Sequence, residues 1–119
     1  MTTALWGAID CLEGGEKWGK GHKVKDGVDT HCILGAVGAA KFGNPDVLYV
    51  ELEDTPEVAA LAKVIGEQYY DRRKLNAEYP SVMLKSSVVI MFNDHPNTTY
   101  ADVERVMQKA AIAEDEVLW

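Results

Sequence analysis

The strongest pattern of apolar and polar positions lies near the end of the chain. Val103, Val106, Met107 and Ala110 recur at intervals of three and four residues, as they do on one face of an α-helix. Such a face must pack against other elements, because its side chains would otherwise contact water. The pattern therefore predicts a long amphipathic helix docked on a helical core.

Two helix starts carry polar capping residues. Thr99 can cap the last helix through its hydroxyl, while the carboxylate of Asp102, three residues later, lies in the first turn as in a capping box. The stretch from Asp54 to Glu57 offers a capping Asp or Thr, a proline in the first turn and a Glu near the positive end of the helix dipole. These signals predict helices that begin near positions 55 and 99.

Two shorter helices are predicted before these. The first covers positions 3 to 13 and is stopped by Gly14-Gly15, which can adopt the positive φ of a helix C-terminus. The second is capped by Asp29 or Thr30 and ends near Phe42. Its small side chains let another backbone approach closely, so we place it at the centre of the core. The small residues are Gly35, Ala36, Gly38, Ala39 and Ala40.

Two apolar segments do not reveal their period. Positions 88–92 are rich in β-branched residues and favour a buried strand or extended segment. Positions 47–52 fit either a short strand or a helical turn. The predicted fold is mainly α: a compact bundle of about four helices around the Gly/Ala-rich central helix, with a minor extended or β segment near 88–92 and an undecided one near 47–52. We expect residues 1–119 to form one globular domain.

Composition and charge restrict the classes of function. The chain has a formal net charge of −7, which disfavours direct binding to nucleic acid or an anionic membrane. Its longest apolar runs fall short of membrane-spanning length. The N-terminus lacks the basic region of an export signal, so we expect a cytoplasmic protein whose Cys11 and Cys32 are free thiols.

Cys32 is the first candidate for chemistry. It falls at the opening turn of the second helix, where backbone N–H groups and the helix dipole stabilise a thiolate. His31 is adjacent but points about 100° away around the helix, so a general base would have to be His22 or His95. The structural alternative is a small buried cysteine that packs beside Gly35.

Asn93-Asp94-His95 is the second candidate. Asp94 and His95 can supply an acid, a base or a metal ligand. The structural alternative is a turn before Pro96 in which side chains bind the backbone. We expect no metal and no cofactor, because the available ligand types lack the paired spacing of a zinc site. The residues considered for zinc are Cys11, Cys32, His22, His31 and His95.

Two tryptophans are candidates for binding, together with Asn93 and Asp94. Trp18 lies in a Gly- and Lys-rich loop, where it can stack on a ligand or clamp the loop onto the core. Trp119 ends the chain beside an acidic cluster and offers an apolar anchor for a partner.

Four short motifs, taken in order, resemble a family of short uncharacterised proteins of actinobacteria and their bacteriophages. Phe92 stands where the family more often has tryptophan. The resemblance implies a small cytosolic, phage-encoded protein and carries over no catalytic residue. The motifs are Trp18-x-x-Gly21, Cys32-x-x-Gly35-Ala36, Asn93-Asp94-x-Pro96 and Thr99-x-x-Asp102-Val103.

The leading functional hypothesis is a non-enzymatic accessory protein that binds another protein, such as a host factor, through an acidic face and Trp119. Self-association into a homodimer stays open. The alternative is a small-ligand-binding protein or a cysteine-dependent enzyme centred on Cys32. That alternative requires Trp18, Cys32, Asp94 and His95 to converge on one concave pocket.

Overall fold

The computed structural model describes residues 3–20, 30–68 and 84–118. In these ranges the prediction of a mainly α fold is confirmed, with six α-helices rather than about four. An isolated bridge joins Trp18 and His31, and the described ranges contain no strand. The helices are α1 (Ala4–Cys11), a 3₁₀ helix (Glu13–Gly15), α2 (Ile33–Phe42), α3 (Tyr49–Glu53), α4 (Pro56–Gln68), α5 (Lys85–Asp94) and α6 (Tyr100–Leu118).

The small-residue helix α2 lies in the core, as predicted, and packs against α1 and α5. A Cβ atom on Gly7 of α1 would lie 3.3 Å from the Cβ of Ala40, so these two helices approach closely. A Cβ on Gly38 would lie only 2.7 Å from the carbonyl oxygen of Asn44. Glycine at position 38 therefore lets the chain fold back against α2 after it ends.

The predicted start of α2 at Asp29 or Thr30 is wrong. Asp29 lies outside the described residues, and Thr30 precedes the helix, whose N-cap is Cys32. The delay has a local cause. The His31 N–H donates to the carbonyl of Lys17 at 2.6 Å, and the His31 carbonyl accepts from the Gly19 N–H at 3.0 Å. This pairing holds His31 in an extended conformation, so the helix begins after it.

The strand or extended segment predicted near 88–92 is wrong, because these residues belong to α5. β-branched side chains favour strands only weakly, and burial decides between the two conformations. Here the buried positions follow the spacing of a helix face, and the intervening Met91 is exposed. The buried residues of α5 are Ser86, Val88, Val89, Phe92 and Asn93.

The undecided segment near 47–52 is also helical, since α3 begins at position 49. Its last residue, Glu53, accepts hydrogen bonds from the backbone N–H groups of Lys85 and Ser86, each at 2.8 Å. These two N–H groups open α5 and would lack an intrahelical partner. A carboxylate from α3 thus caps α5 although the two residues are more than 30 positions apart, and no local sequence pattern indicates this contact.

The capping signals of the other helices are confirmed. The Thr99 hydroxyl accepts from the Asp102 N–H at 3.3 Å, and Asp102 Oδ2 accepts from the Thr99 N–H at 3.0 Å. The Thr55 hydroxyl accepts from the Val58 N–H at 3.3 Å at the start of α4. The apolar face of α6 is fully buried at Val103, Val106, Met107 and Ala110. Of the helices in the described ranges, none combines the length and the apolar character that crossing a bilayer requires.

Candidate functional site

Three segments of the chain meet at the side chain of Asn93, near the end of α5. These are the loop that holds Trp18, the first turn of α2 and the C-terminus of α5 itself. Asn93 is only 1% exposed, so its carboxamide sits inside the protein rather than on a surface. The loop, the Cys32 helix and the Asn93-Asp94 turn, which the ligand-binding hypothesis required to converge, are thus brought together.

The carboxamide of Asn93 makes four hydrogen bonds. Its Oδ1 accepts from the Trp18 indole Nε1 at 2.8 Å and from the Ile33 backbone N–H at 3.1 Å. Its Nδ2 donates to the Gly19 carbonyl at 3.2 Å and to Asp94 Oδ1 at 2.9 Å. An amide has two donors and two acceptor positions, so every polar position is used. This saturation makes Asn93 a structural link between distant segments.

Cys32 serves as the N-cap of α2. Its Sγ accepts a hydrogen bond from the Gly35 N–H at 3.5 Å, and the residue is only 5% exposed. Burial raises the pKa of the Cys32 thiol, the amides of Gly35 and Leu34 oppose this rise, and the Asp94 carboxylate adds to it. The thiol therefore remains protonated near neutral pH, which is the opposite of what a nucleophilic cysteine requires.

The histidines and Asp94 contribute to turns around the same link. His95 is exposed; its Nδ1 accepts from the Asn97 N–H at 3.1 Å, and its carbonyl accepts from the Lys20 ammonium at 2.6 Å. His31 is half-buried and pairs through its backbone with the Trp18 loop. Asp94 is half-buried and accepts from Asn93. These bonds match the structural alternative, a helix-entry turn built from side chain to backbone contacts.

Trp18 joins the loop to the start of α6. Its ring centroid lies 6.1 Å from that of Tyr100, with the planes tilted by 51°. The Lys20 ammonium lies 5.7 Å from the Trp18 ring, within the range of a cation–π contact. The indole N–H is bound to Asn93, so Trp18 fixes the described start of this loop, up to residue 20, to the protein. Trp119, the other predicted anchor, lies outside the described residues.

No metal centre is assembled in the part of the chain that the structure describes. There, no group of three or more His, Cys, Asp or Glu side chains is placed to hold an ion. His22, one of the residues considered for zinc, lies outside the described ranges.

A second polar cluster, at the opposite ends of the sequence, joins α1 to α6. Asp115 Oδ1 accepts from the Thr3 N–H at 2.8 Å, and its Oδ2 accepts from the Trp6 indole at 2.7 Å. These bonds lower the pKa of Asp115, with that from Trp6 contributing most. Sequence reasoning treated the acidic run near the C-terminus as surface charge, and nothing local signals that it contacts α1.

Two carboxylates beside this cluster are buried. Glu57 is 4% exposed, and both of its oxygens lie close to the Lys41 ammonium, at 3.0 and 3.1 Å. Glu114 is 8% exposed and accepts from the Thr3 hydroxyl at 3.4 Å. Burial raises the pKa of Glu114, as does the negative charge of Glu57, whereas the Thr3 hydroxyl lowers it. The Lys41 ammonium also lowers the pKa of Glu114, but the net direction is upward.

Large apolar side chains are exposed on two neighbouring helices. Leu48 and Leu84 occupy the N-cap positions of α3 and α5, are 63% and 61% exposed, and make no side-chain capping bond. Val50 and Met91, on the same two helices, are 68% and 45% exposed. The two helices contact each other through Glu53 and the start of α5. We call Leu48, Val50, Leu84 and Met91 the α3–α5 surface.

The α3–α5 surface departs from local sequence preference. Ser, Thr, Asp and Asn stabilise an N-cap, whereas leucine supplies no acceptor; the first N–H groups of α5 donate to Glu53 instead. Leucine at two such positions also leaves apolar area in water. Sequence reasoning missed this surface, because the positions of the helix starts were not recognised near 48 and 84. Departures from local rules at exposed positions are typical of functional sites.

These features define a small helical protein whose best candidates for chemistry are engaged in its own fold. The chain belongs to DUF6197, a family of unknown function, whose model matches residues 2–113. No curated protein and no solved structure matches the chain.

Proposed function

We propose that this protein is a non-enzymatic accessory protein that acts by binding another protein through the α3–α5 surface. The observation that carries the proposal is the pair of exposed leucines, Leu48 and Leu84, at N-cap positions. A polar residue at position 48 would supply the cap that α3 lacks, and one at either position would reduce exposed apolar area. Burial of these side chains by a partner protein accounts for leucine at both positions.

The arrangement around Cys32 supports the same proposal over a cysteine-dependent enzyme. An active-site thiol is accessible and has a lowered pKa. Cys32 is buried, its pKa is raised, and its Sγ accepts the capping hydrogen bond of α2. The carboxamide of Asn93 is likewise saturated by bonds within the protein.

The proposal extends to origin, partner and location. The motif series is similar to that of short proteins of actinobacteria and their bacteriophages. We therefore propose a phage-encoded protein that works in the host cytoplasm and modulates a host protein. Direct contact with nucleic acid is not part of the proposal, because the net charge of −7 opposes it.

Site-specific photo-cross-linking tests the proposal. A benzophenone amino acid replaces Leu84 in one sample and Ile112 in a control, since Ile112 is similarly exposed, at 52%, but lies on α6. Both proteins are irradiated in lysate from an actinobacterial host. We expect a discrete adduct from position 84 that excess wild-type protein suppresses and excess Leu84→Ser does not.

Equal adduct yields from positions 84 and 112 would contradict the proposal, as would adducts that survive competition by wild-type protein. Either result would mean that the α3–α5 surface makes only random collisions. Circular dichroism of each labelled protein establishes that the helical content is unchanged, so that loss of an adduct reports on contact rather than unfolding.

A further inference from the structure

Negative charge predominates around α3, whereas on the α5 side the exposed Lys85 follows Leu84 and its charge acts on Glu53. From Phe42 to Ala62 the sequence contains five acidic residues and neither Lys nor Arg. Two of the five are compensated inside the protein. Glu57 pairs with Lys41, and Glu53 caps the first N–H groups of α5.

The other three acidic residues, Asp46, Glu51 and Asp54, are exposed. Glu51 lies within α3, and Asp46 and Asp54 flank that helix. Within the described ranges, the ion pairs involve none of these three carboxylates. Leu48 and Val50 therefore lie near three exposed carboxylates that form no ion pair within the described residues.

We infer that the partner of the α3–α5 surface is a basic amphipathic segment, with apolar side chains that cover Leu48, Val50 and Leu84 and with Lys or Arg beside them. This inference rests on the proposed function and specifies its partner. Complementary charge steers association and selects among apolar partners. It disfavours a second copy bound face to face, because the three uncompensated carboxylates of each copy would then repel one another.

Synthetic peptides serve as the probe. One is an amphipathic peptide of about 18 residues, five helical turns, with leucine on one face and lysine on the other. A second keeps the leucines and replaces every lysine with glutamate. Binding of each peptide to the full-length protein is measured by fluorescence anisotropy at low and at physiological salt, with sedimentation of the protein alone to determine its mass.

Two sets of variants separate the apolar contribution from the charge contribution. Leu84→Ser removes an apolar contact, with Ile112→Ser as its control. The double variant Glu51→Gln/Asp54→Asn removes two charges beside the surface. Its control, Glu67→Gln/Glu116→Gln, removes two exposed charges elsewhere and changes the net charge equally.

We expect the Lys peptide to bind at least about tenfold more tightly than the Glu peptide at low salt, with this preference shrinking as salt is added. Leu84→Ser and Glu51→Gln/Asp54→Asn should each weaken binding of the Lys peptide by roughly three- to tenfold. Ile112→Ser and Glu67→Gln/Glu116→Gln should leave it within about twofold.

The outcomes distinguish the inference from the proposed function. If Leu84→Ser weakens the binding of both peptides equally and the charge variants have no effect, binding through the α3–α5 surface is supported and the inference of a basic partner is contradicted. If Glu67→Gln/Glu116→Gln weakens the Lys peptide as much as Glu51→Gln/Asp54→Asn does, the attraction is general and the inference fails. A stable dimer that Leu84→Ser dissociates would replace the basic partner with a second copy. If Leu84→Ser leaves the binding of both peptides unchanged and also suppresses the position-84 adduct as well as wild-type protein does, the proposed function itself fails.

Discussion

The Trp18 indole donates a hydrogen bond to Asn93 Oδ1 at 2.8 Å, although the two residues are 75 positions apart in the sequence. The same oxygen accepts from the first N–H of α2, so a single carboxamide fastens the Trp18 loop and caps a core helix. The polar motif that suggested catalysis therefore explains how this part of the fold is held together.

Asn93→Asp should destabilise the protein by about 3 kcal/mol at neutral pH. The new carboxylate still accepts from Trp18, but it cannot donate to the Gly19 carbonyl, and it faces Asp94 with like charge. Urea denaturation followed by circular dichroism measures the change. The loss of stability should be smaller at acid pH, because protonation of the new carboxylate removes its repulsion with Asp94 and restores one hydrogen-bond donor. The exposed Asn97→Asp is the control, and equal stabilities of Asn93→Asp and wild type would refute the role of the link.

Cys32 should react slowly with thiol reagents in the native protein. Its thiol is buried, has a raised pKa and accepts a hydrogen bond, whereas Cys11 is only half-buried. In a Cys11→Ser variant, labelling by a disulfide reagent at pH 7 should require global unfolding and accelerate at least about a hundredfold in denaturant. Rapid native labelling of Cys32, matching that of a small free thiol, would show that the site is open and would revive the enzyme hypothesis.

Cys32→Ser should retain the cap of α2, because the serine hydroxyl accepts the same N–H, while Cys32→Ala should lose about 1 to 2 kcal/mol. Thermal unfolding of the two variants compares these effects directly. Equal losses would indicate that the volume of sulfur in the core, rather than its acceptor, is what stabilises this position.

Glu114→Gln should stabilise the protein at neutral pH. Burial and the charge of Glu57 raise the folded-state pKa of Glu114 above its ordinary value of 4.5. The stabilisation from its protonated form is therefore complete below the unfolded pKa and is lost as pH rises through the higher folded-state pKa. The variant should melt a few degrees above wild type at pH 7, and the two should converge near pH 4. The exposed Glu116→Gln is the control, and a lower melting temperature for Glu114→Gln at pH 7 would mean that the ionised carboxylate is stabilising.

Leu48→Ser should stabilise the isolated protein by about 0.5 to 1 kcal/mol, because serine supplies the acceptor that α3 lacks and reduces exposed apolar area. The same variant should bind the basic peptide less tightly. Guanidinium denaturation measures the first effect and fluorescence anisotropy the second. A loss of stability would show instead that Leu48 packs within the protein and serves its fold.

Local signals predicted the features that a short stretch of sequence specifies by itself, such as a capping pair or the spacing of apolar positions along one helix. The Thr99–Asp102 capping pair and the buried face of α6 lie within a few residues of each other, and both predictions are confirmed. The start of α2 and the helical state of positions 88–92 depend on distant groups instead. Backbone hydrogen bonds to Lys17 and Gly19 hold His31 extended. Glu53 caps α5 from 32 and 33 positions away.

The candidate site shows the same division. Sequence reasoning selected Trp18, Cys32, Asn93 and Asp94, and the structure gathers their segments at one place. It could not decide whether they surround a pocket or bind one another, because that choice depends on backbone groups of Gly19 and Ile33 that carry no residue-type signal. The α3–α5 surface was equally hidden, since a leucine is recognisable as an exposed N-cap only once the helix start is known.

The ratio of cross-linking yields from positions 84 and 112 in host lysate tests the central claim most directly. If the α3–α5 surface binds a protein, position 84 gives a discrete adduct that wild-type protein competes away, and position 112 gives little. Equal and non-competable yields at the two positions would contradict the claim, because both side chains are comparably exposed and differ chiefly in the surface to which they belong.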